Sequence, residues 1–177
     1  MNRILPVSQP QNEAAATLSA MRQQLGMVPN LYASVAHSPN VLNAFLVFNQ
    51  ALSLGRLTAK QRELIALAVG QANQCQYCLS AHTLLAGNAG IDKAQVLAAR
   101  QGKAEDALDQ ALVTFAMQVV EQRGAISDEQ FDAARQGGID DELMIEVLAQ
   151  ITANTFTNYT NHVVQTEIDF PVVSLSV

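Results

Sequence analysis

The chain has 177 residues, 49% of them hydrophobic, with a net charge of −6 and a pI near 4.9. That length fits one domain with a sizeable core. The 10 Lys and Arg are scattered among 16 Asp and Glu, which speaks against a surface for nucleic acid or for an acidic membrane. There is no apolar run of about 18 residues and no basic start before an apolar block, so neither a membrane span nor a secretory leader is read, and the cytoplasm is the default expectation.

Residues 1–10 carry Pro6 and Pro10 with little periodicity and read as an extended arm, placed to pack on a neighbouring subunit. From Asn12 a cap precedes an Ala-rich helical run with Leu18, Met21 and Leu25, stopped by Gly26. Val28-Pro29-Asn30 reads as a turn, with Asn30 the cap of a short helix through Ala36. His37 falls at a helix boundary, where a turn or capping role is expected. Ser38-Pro39 opens a helix whose Leu42, Phe45, Leu46, Asn49 and Leu52 keep helical spacing to Gly55. Thr58-x-x-Gln61 is a capping box that opens the helix bearing Glu63. The apolar residues Leu64, Ile65, Leu67, Ala68 and Val69 mark that helix as mostly buried, so the Glu63 carboxylate needs a partner.

A break is expected around Gly70, Asn73 and Gln74, since Gly and Asn tolerate the left-handed conformation that ends a helix. The next helix runs from Cys75 to about Ala89 and ends at Gly90. Asp92 with Gln95 caps another, to Gln101, and residues 104–123 form the longest strongly helical run, with Leu108, Leu112, Phe115, Ala116 and Val119 on one face. Ser127-x-x-Gln130 starts a short helix that Gly137-Gly138 stops, and a last long helix runs from Asp140 towards Val164. On it Asn154, Asn158, Asn161 and His162 form a polar stripe, read as a solvated face or an inter-helix ladder, with Asn158 and His162 as candidate pocket residues. Residues 168–177 read as an extended tail. No segment alternates with period two, so the expected fold is a single all-α bundle of eight or nine helices over 1–177.

The chemistry concentrates in Cys75-Gln76-Tyr77-Cys78 and His82, and the chain has no other cysteine. On a helix, Cys75 and Cys78 are an i,i+3 pair and Cys78 and His82 an i,i+4 pair, so the three side chains share a face about 5–6 Å apart at Cβ. The positive end of the helix favours a thiolate near its start, and an imidazole one turn on takes or stabilises the thiol proton. On one continuous helix Glu63 would lie about 18 Å from Cys75, so it joins the site only if the chain turns back. Two antiparallel helices would then bring it to His82. Tyr77, between the cysteines, is a further candidate pocket residue.

Glu63, eleven residues, Cys75-x-x-Cys78, three residues and His82 resemble the signature of the alkylhydroperoxidase D-like branch of the carboxymuconolactone decarboxylase superfamily. Gly26-Met27-Val28-Pro29-Asn30, His37-Ser38-Pro39, Arg62-Glu63 and Asp169-Phe170-Pro171 are similar to its peroxidase-related members. The resemblance implies an all-helical fold, a homo-oligomer such as a trimer or hexamer, and a thiol peroxidase reaction; no haem, flavin or nucleotide motif appears in the sequence, so no bound cofactor or metal is expected. In that reaction Cys78 attacks a hydroperoxide, Cys75 resolves it, Glu63 and His82 relay the proton, and an external dithiol, such as a lipoyl-bearing protein, reduces the disulfide. Studied members carry a second histidine before the later cysteine, where this chain has Tyr77. A phenol with a pKa near 10 is a poor proton acceptor at neutral pH, so a weaker relay or another substrate is expected. The other readings are a pair of buried core cysteines, a zinc site short of a fourth ligand, a lactone decarboxylase with no need of a dithiol, and a redox-sensing helical assembly.

Overall fold

The structure is a computed structural model describing residues 2–10 and 13–177. The cap expected at Asn12 lies outside them. Among the described residues there are nine helices and no strand: α1 (Ala14–Leu25), α2 (Asn30–Val35), α3 (Pro39–Ser53), α4 (Ala59–Ala72), α5 (Gln76–Asn88), α6 (Lys93–Arg100), α7 (Ala107–Glu121), α8 (Asp128–Gln136) and α9 (Asp141–Val164).

Local sequence sets most of their starts. The side chains of Thr58 and Gln61, Asp92 and Gln95, and Ser127 and Gln130 form reciprocal capping boxes on α4, α6 and α8. Asp106 and Asp140 accept from the first free N–H groups of α7 and α9. Two expectations are corrected. Asn30 is the first residue of α2 and not its cap: its N–H donates to Asp169 Oδ2 at 2.7 Å, so the helix start is satisfied by a carboxylate from the far end of the chain. Residues 104–123 do not hold the longest helix, because Asp106 begins α7 and Gln110 bridges Ala104 N–H and Gly102 O in the loop before it; the 24-residue α9 is longer.

Helix α4 is the centre of the bundle. Its residues 64–70 are all buried, as expected of a helix covered on every side. Ile65 and Val69 meet Leu112, Phe115, Val147 and Ile151 of α7 and α9. Leu64, Leu67 and Ala68 pack with Leu79, Ala86, Val96 and Val113. Cys75, Tyr77 and Cys78 fall in another cluster, with Leu18, Leu31, Val35 and Leu42 of α1–α3. The N-terminal arm is tied to its own chain, through Val7 N–H to Ala33 O at 3.1 Å, Arg3 N–H to Val164 O at 2.7 Å, and His37 Nε2 with Leu5 O at 2.9 Å. The C-terminal tail returns across α4, α5 and α6.

Replacing Leu67, fully buried in α4, by alanine is expected to cost about 2–5 kcal/mol in denaturant unfolding, whereas Leu84→Ala at a 51% exposed position changes stability by less than about 0.5 kcal/mol.

Candidate functional site

The site is made by the reversal between α4 and α5. Asn73 stays right-handed, and Gln74 takes the left-handed conformation at φ 54°. Gln74 N–H donates to Gln71 O at 2.9 Å and Cys75 N–H to Gly70 O at 2.8 Å, the paired bonds of a Schellman ending. Of the three positions where the break was expected, Gln74 is therefore the one that turns the chain, while Gly70 and Asn73 stay right-handed. Gly70 remains helical and does something else: a Cβ there would lie 3.4 Å from Leu79 Cδ2 and 3.9 Å from Cys78 Cβ, so α5 lies against its bare face.

Cys75 is thus the last tied residue of α4 and the N-cap of α5, while Cys78 lies in the first turn of α5. Both are free thiols and buried. Cys75 Sγ donates to Cys78 Sγ at 2.9 Å, and Asn161 Nδ2 donates to Cys78 Sγ at 3.3 Å. Thr157 Oγ1 is 3.9 Å from the same sulfur. The hydrogen bond from Cys75 is the main cause that lowers the Cys78 thiol to about 6; burial opposes it, and the charge of His82 and the Asn161 amide assist. Cys75, which gives its proton to that bond and is itself buried, is raised. The asymmetry makes Cys78 the thiolate of the pair.

His82 Nδ1 is 2.8 Å from Glu63 Oε2. The other bases near Glu63 are engaged elsewhere, Lys60 with Asp109 and Arg62 with Leu57 O. Burial disfavours charge on His82, but the charge and hydrogen bond of Glu63, with Cys78 beyond, outweigh it and raise the imidazole. A cavity of about 230 Å³ opens on this pair, lined by Tyr32, Phe45, Asn49, Gln150, Asn154 and Thr157 among others. Tyr32 is raised by burial and by Cys78.

The model of the carboxymuconolactone decarboxylase family matches residues 39–122, which span α3 to α7 and carry Glu63, both cysteines and His82. Over those residues, just under half of the chain, the protein is similar to the carboxymuconolactone decarboxylase family. Its AhpD-like fold is shared with an uncharacterised peroxidase-related protein from Silicibacter sp. TM1040, at 22% identity and TM-score 0.80 over 93% of this chain and 92% of that one. An alkylhydroperoxidase AhpD-core, peroxidase-related protein from Ralstonia eutropha JMP134 matches at 23% identity and TM-score 0.80, over 96% and 94%. The debrominase Bmp8, solved in complex with 2,3,4-tribromopyrrole, matches at 22% identity and TM-score 0.79, over 96% and 92%. No curated protein matches the chain by sequence.

Tyr77 turns its hydroxyl from the sulfurs: it accepts from Leu31 N–H at 3.2 Å, and its ring meets Phe170 edge-on, 5.5 Å between centroids. Burial raises its phenol. The polar stripe of α9 is not a solvated face. Asn154, Asn158 and Asn161 are buried, and Asn158 Oδ1 accepts from Asn73 at 2.9 Å, tying α9 to the reversal. Only His162 of the stripe is exposed, with Nε2 3.3 Å from Gln74 O. Asn161 and Thr157 as partners of Cys78, and Tyr32 across the cavity, went unread as site residues. The four-residue step from Asn154 through Asn158 and the Asn161 neighbour was their only sequence signal. Among the described residues no three His, Cys, Asp or Glu side chains stand in a metal-holding group, and no helix is long and apolar enough to cross a membrane.

Alkylation of the reduced protein should label Cys78 first, with a rate that rises as pH increases through about 6, where its thiolate forms. Glu63→Gln removes the charge that sustains the imidazolium and should move that midpoint upward; peptide mapping against pH reads both.

Proposed function

We propose that this protein is a thiol-dependent oxidoreductase that reduces hydroperoxides through a Cys75/Cys78 dithiol–disulfide cycle. The observation that carries the reading is the buried pair at 2.9 Å in which one sulfur receives a hydrogen bond from the other and an amide from Asn161, beside the Glu63–His82 couple. Cys78 as thiolate attacks the terminal O–O bond, forming sulfenic acid and releasing the alkoxide, which takes a proton from His82. Cys75 then attacks the Cys78 sulfur, its thiol proton leaves with the hydroxyl as water, and a disulfide forms. An external dithiol returns two electrons and two protons. Glu63 holds the Nδ1 side of His82, leaving Nε2 as the nitrogen that moves the proton. The enzyme works in this reading as a homo-oligomer.

A second reading is favoured by one observation. The cavity at His82 is flanked by the rings of Tyr32 and Phe45, and Tyr77 presents no second base to the sulfurs, an arrangement that suits a flat aromatic substrate. Bmp8 supplies the precedent of a debrominase on this fold. Here the dithiol would become a disulfide while a carbon–bromine bond is replaced by carbon–hydrogen and HBr is released.

The test adds one equivalent of an organic hydroperoxide, or of a bromopyrrole, to reduced protein and follows thiols and intact mass. Repeatable loss of two thiols and two hydrogens, reversed by a dithiol, is the expected result with the hydroperoxide; thiols that stay reduced, or that oxidise once without turnover, overturn it. Cys78→Ser should abolish the reaction, Cys75→Ser should leave an added oxygen on Cys78, and His82→Asn should slow oxidation by about 10²–10⁴-fold.

A further inference from the structure

The cysteine pair has a second approach. An open hollow of about 360 Å³ lies beside the first turn of α5, walled by Gln74, Cys75, Tyr77, Asn161, His162 and Thr166, with Leu175 at its edge. It shares no lining residue with the cavity at Glu63 and His82. Along α9 the first cavity is framed by residues 150–157 and the second begins at Asn161, so about 6 Å of helix rise separates their nearest walls. Thr157 in the one and Asn161 in the other both approach Cys78 Sγ. Cys75, however, lines only the second.

Two oxygens of this wall have no hydrogen-bond partner, Asn161 Oδ1 and Thr166 Oγ1, on side chains only 4% and 8% exposed. A buried bare oxygen is costly, and a ligand that brings an N–H or O–H would relieve it. The outer edge is the C-terminal tail. Pro171, Val172, Leu175, Ser176 and Val177 are exposed, so little apolar area holds it down. Hydrogen bonds do: Gln76 Nε2 to Val173 O at 2.9 Å, Val173 N–H to Ser80 Oγ at 3.2 Å, Arg100 Nη2 to Ser174 O at 2.6 Å and Gln71 Nε2 to Leu175 O at 3.0 Å. Such a strap lifts more easily than a packed helix.

Chemistry selects the same side. When a thiolate reduces a disulfide, a new S–S bond forms as the old one breaks, and the sulfur better stabilised as thiolate leaves. Cys78, with His82 and Asn161 beside it, is that leaving group. Attack therefore falls on Cys75. The second thiol of the incoming dithiol then attacks its own sulfur in the mixed disulfide and expels Cys75, so that two electrons and two protons reach the chain and the donor departs as a disulfide.

We propose that the hollow beside Cys75 is the docking site for a dithiol reductant, entered past the C-terminal tail, while the oxidant meets Cys78 through the separate Glu63–His82 cavity. The inference rests on the dithiol cycle proposed above and assigns its two half-reactions to two doors.

The test separates the half-reactions. Protein oxidised with diamide, with no peroxide involved, is re-reduced by dihydrolipoamide in a stopped-flow thiol assay; reduced protein is oxidised in a single turnover by cumene hydroperoxide. His162→Trp, at an exposed position on the hollow's wall, should slow re-reduction several-fold and leave oxidation unchanged. Leu175→Gly should speed re-reduction several-fold, and a chain ending at Val172 should do the same; the point variant carries the test if the shortened chain does not fold. Asn49→Trp, in the other cavity, should slow oxidation alone. Equal slowing of both half-reactions by His162→Trp, or re-reduction indifferent to both His162→Trp and Leu175→Gly, would overturn the second door. A protein that cumene hydroperoxide does not oxidise would sink the peroxidase reading alone, because the diamide arm reports on the hollow by itself.

Discussion

The left-handed turn at Gln74 is the constraint from which the site follows. Seven consecutive buried residues make α4 a helix that must be covered on all sides, and the chain can cover it only by doubling back sharply. The reversal does so within two residues, and the same two hydrogen bonds that finish α4 fix the backbone of Cys75. With Cys75 held there, the first turn of α5 carries Cys78 to it, and the next turn carries His82 back to Glu63. A non-glycine residue in this conformation is held at a cost of order 1 kcal/mol or more, which only well-determined surroundings sustain. Asn73 to Asn158 and His162 to Gln74 O supply part of that determination from α9.

Helix α9 also settles how a charged sulfur is tolerated in a buried place. Burial alone would raise both thiols. What opposes it at Cys78 is a set of short-range donors, Cys75 and the Asn161 amide, together with one cation, His82, itself sustained by Glu63. Amides have an advantage over a lysine or arginine in that position: they stabilise the anion without a fixed charge that would itself need a counterion when the sulfur is neutral or in a disulfide. The three buried asparagines of α9 suit a sulfur whose charge comes and goes, as the proposed dithiol cycle requires.

Much of this was legible locally. The spacing of Cys75, Cys78 and His82 places three groups on one helical face because α-helical geometry allows nothing else, and the capping boxes at Thr58, Asp92 and Ser127 spell out helix starts in four residues each. What was not legible depends on partners distant in sequence. Asn30 looks like a cap until Asp169, 139 residues on, takes its N–H. The asparagine stripe of α9 has the period of a solvated face and is buried only because α4 and α5 lie over it. Gln74 turns left-handed with no glycine to announce it, since the ends of α4 and α5 are held by tertiary contacts and not by local propensity.

The aromatic content has a consequence for how the centre is observed. The chain has no tryptophan and three tyrosines. Tyr32 and Tyr77 lie on either flank of the cysteine pair, one in the Glu63–His82 cavity and one between the cysteines in sequence, while Tyr159 stands 56% exposed. With no tryptophan, emission excited in the tyrosine band comes from these three residues, two of which flank the cysteine pair that the proposed cycle converts to a disulfide. In the proposed cycle the emission of Tyr32 and Tyr77 becomes an intrinsic gauge of the state of the pair, read over a constant contribution from the exposed Tyr159 and without an introduced label.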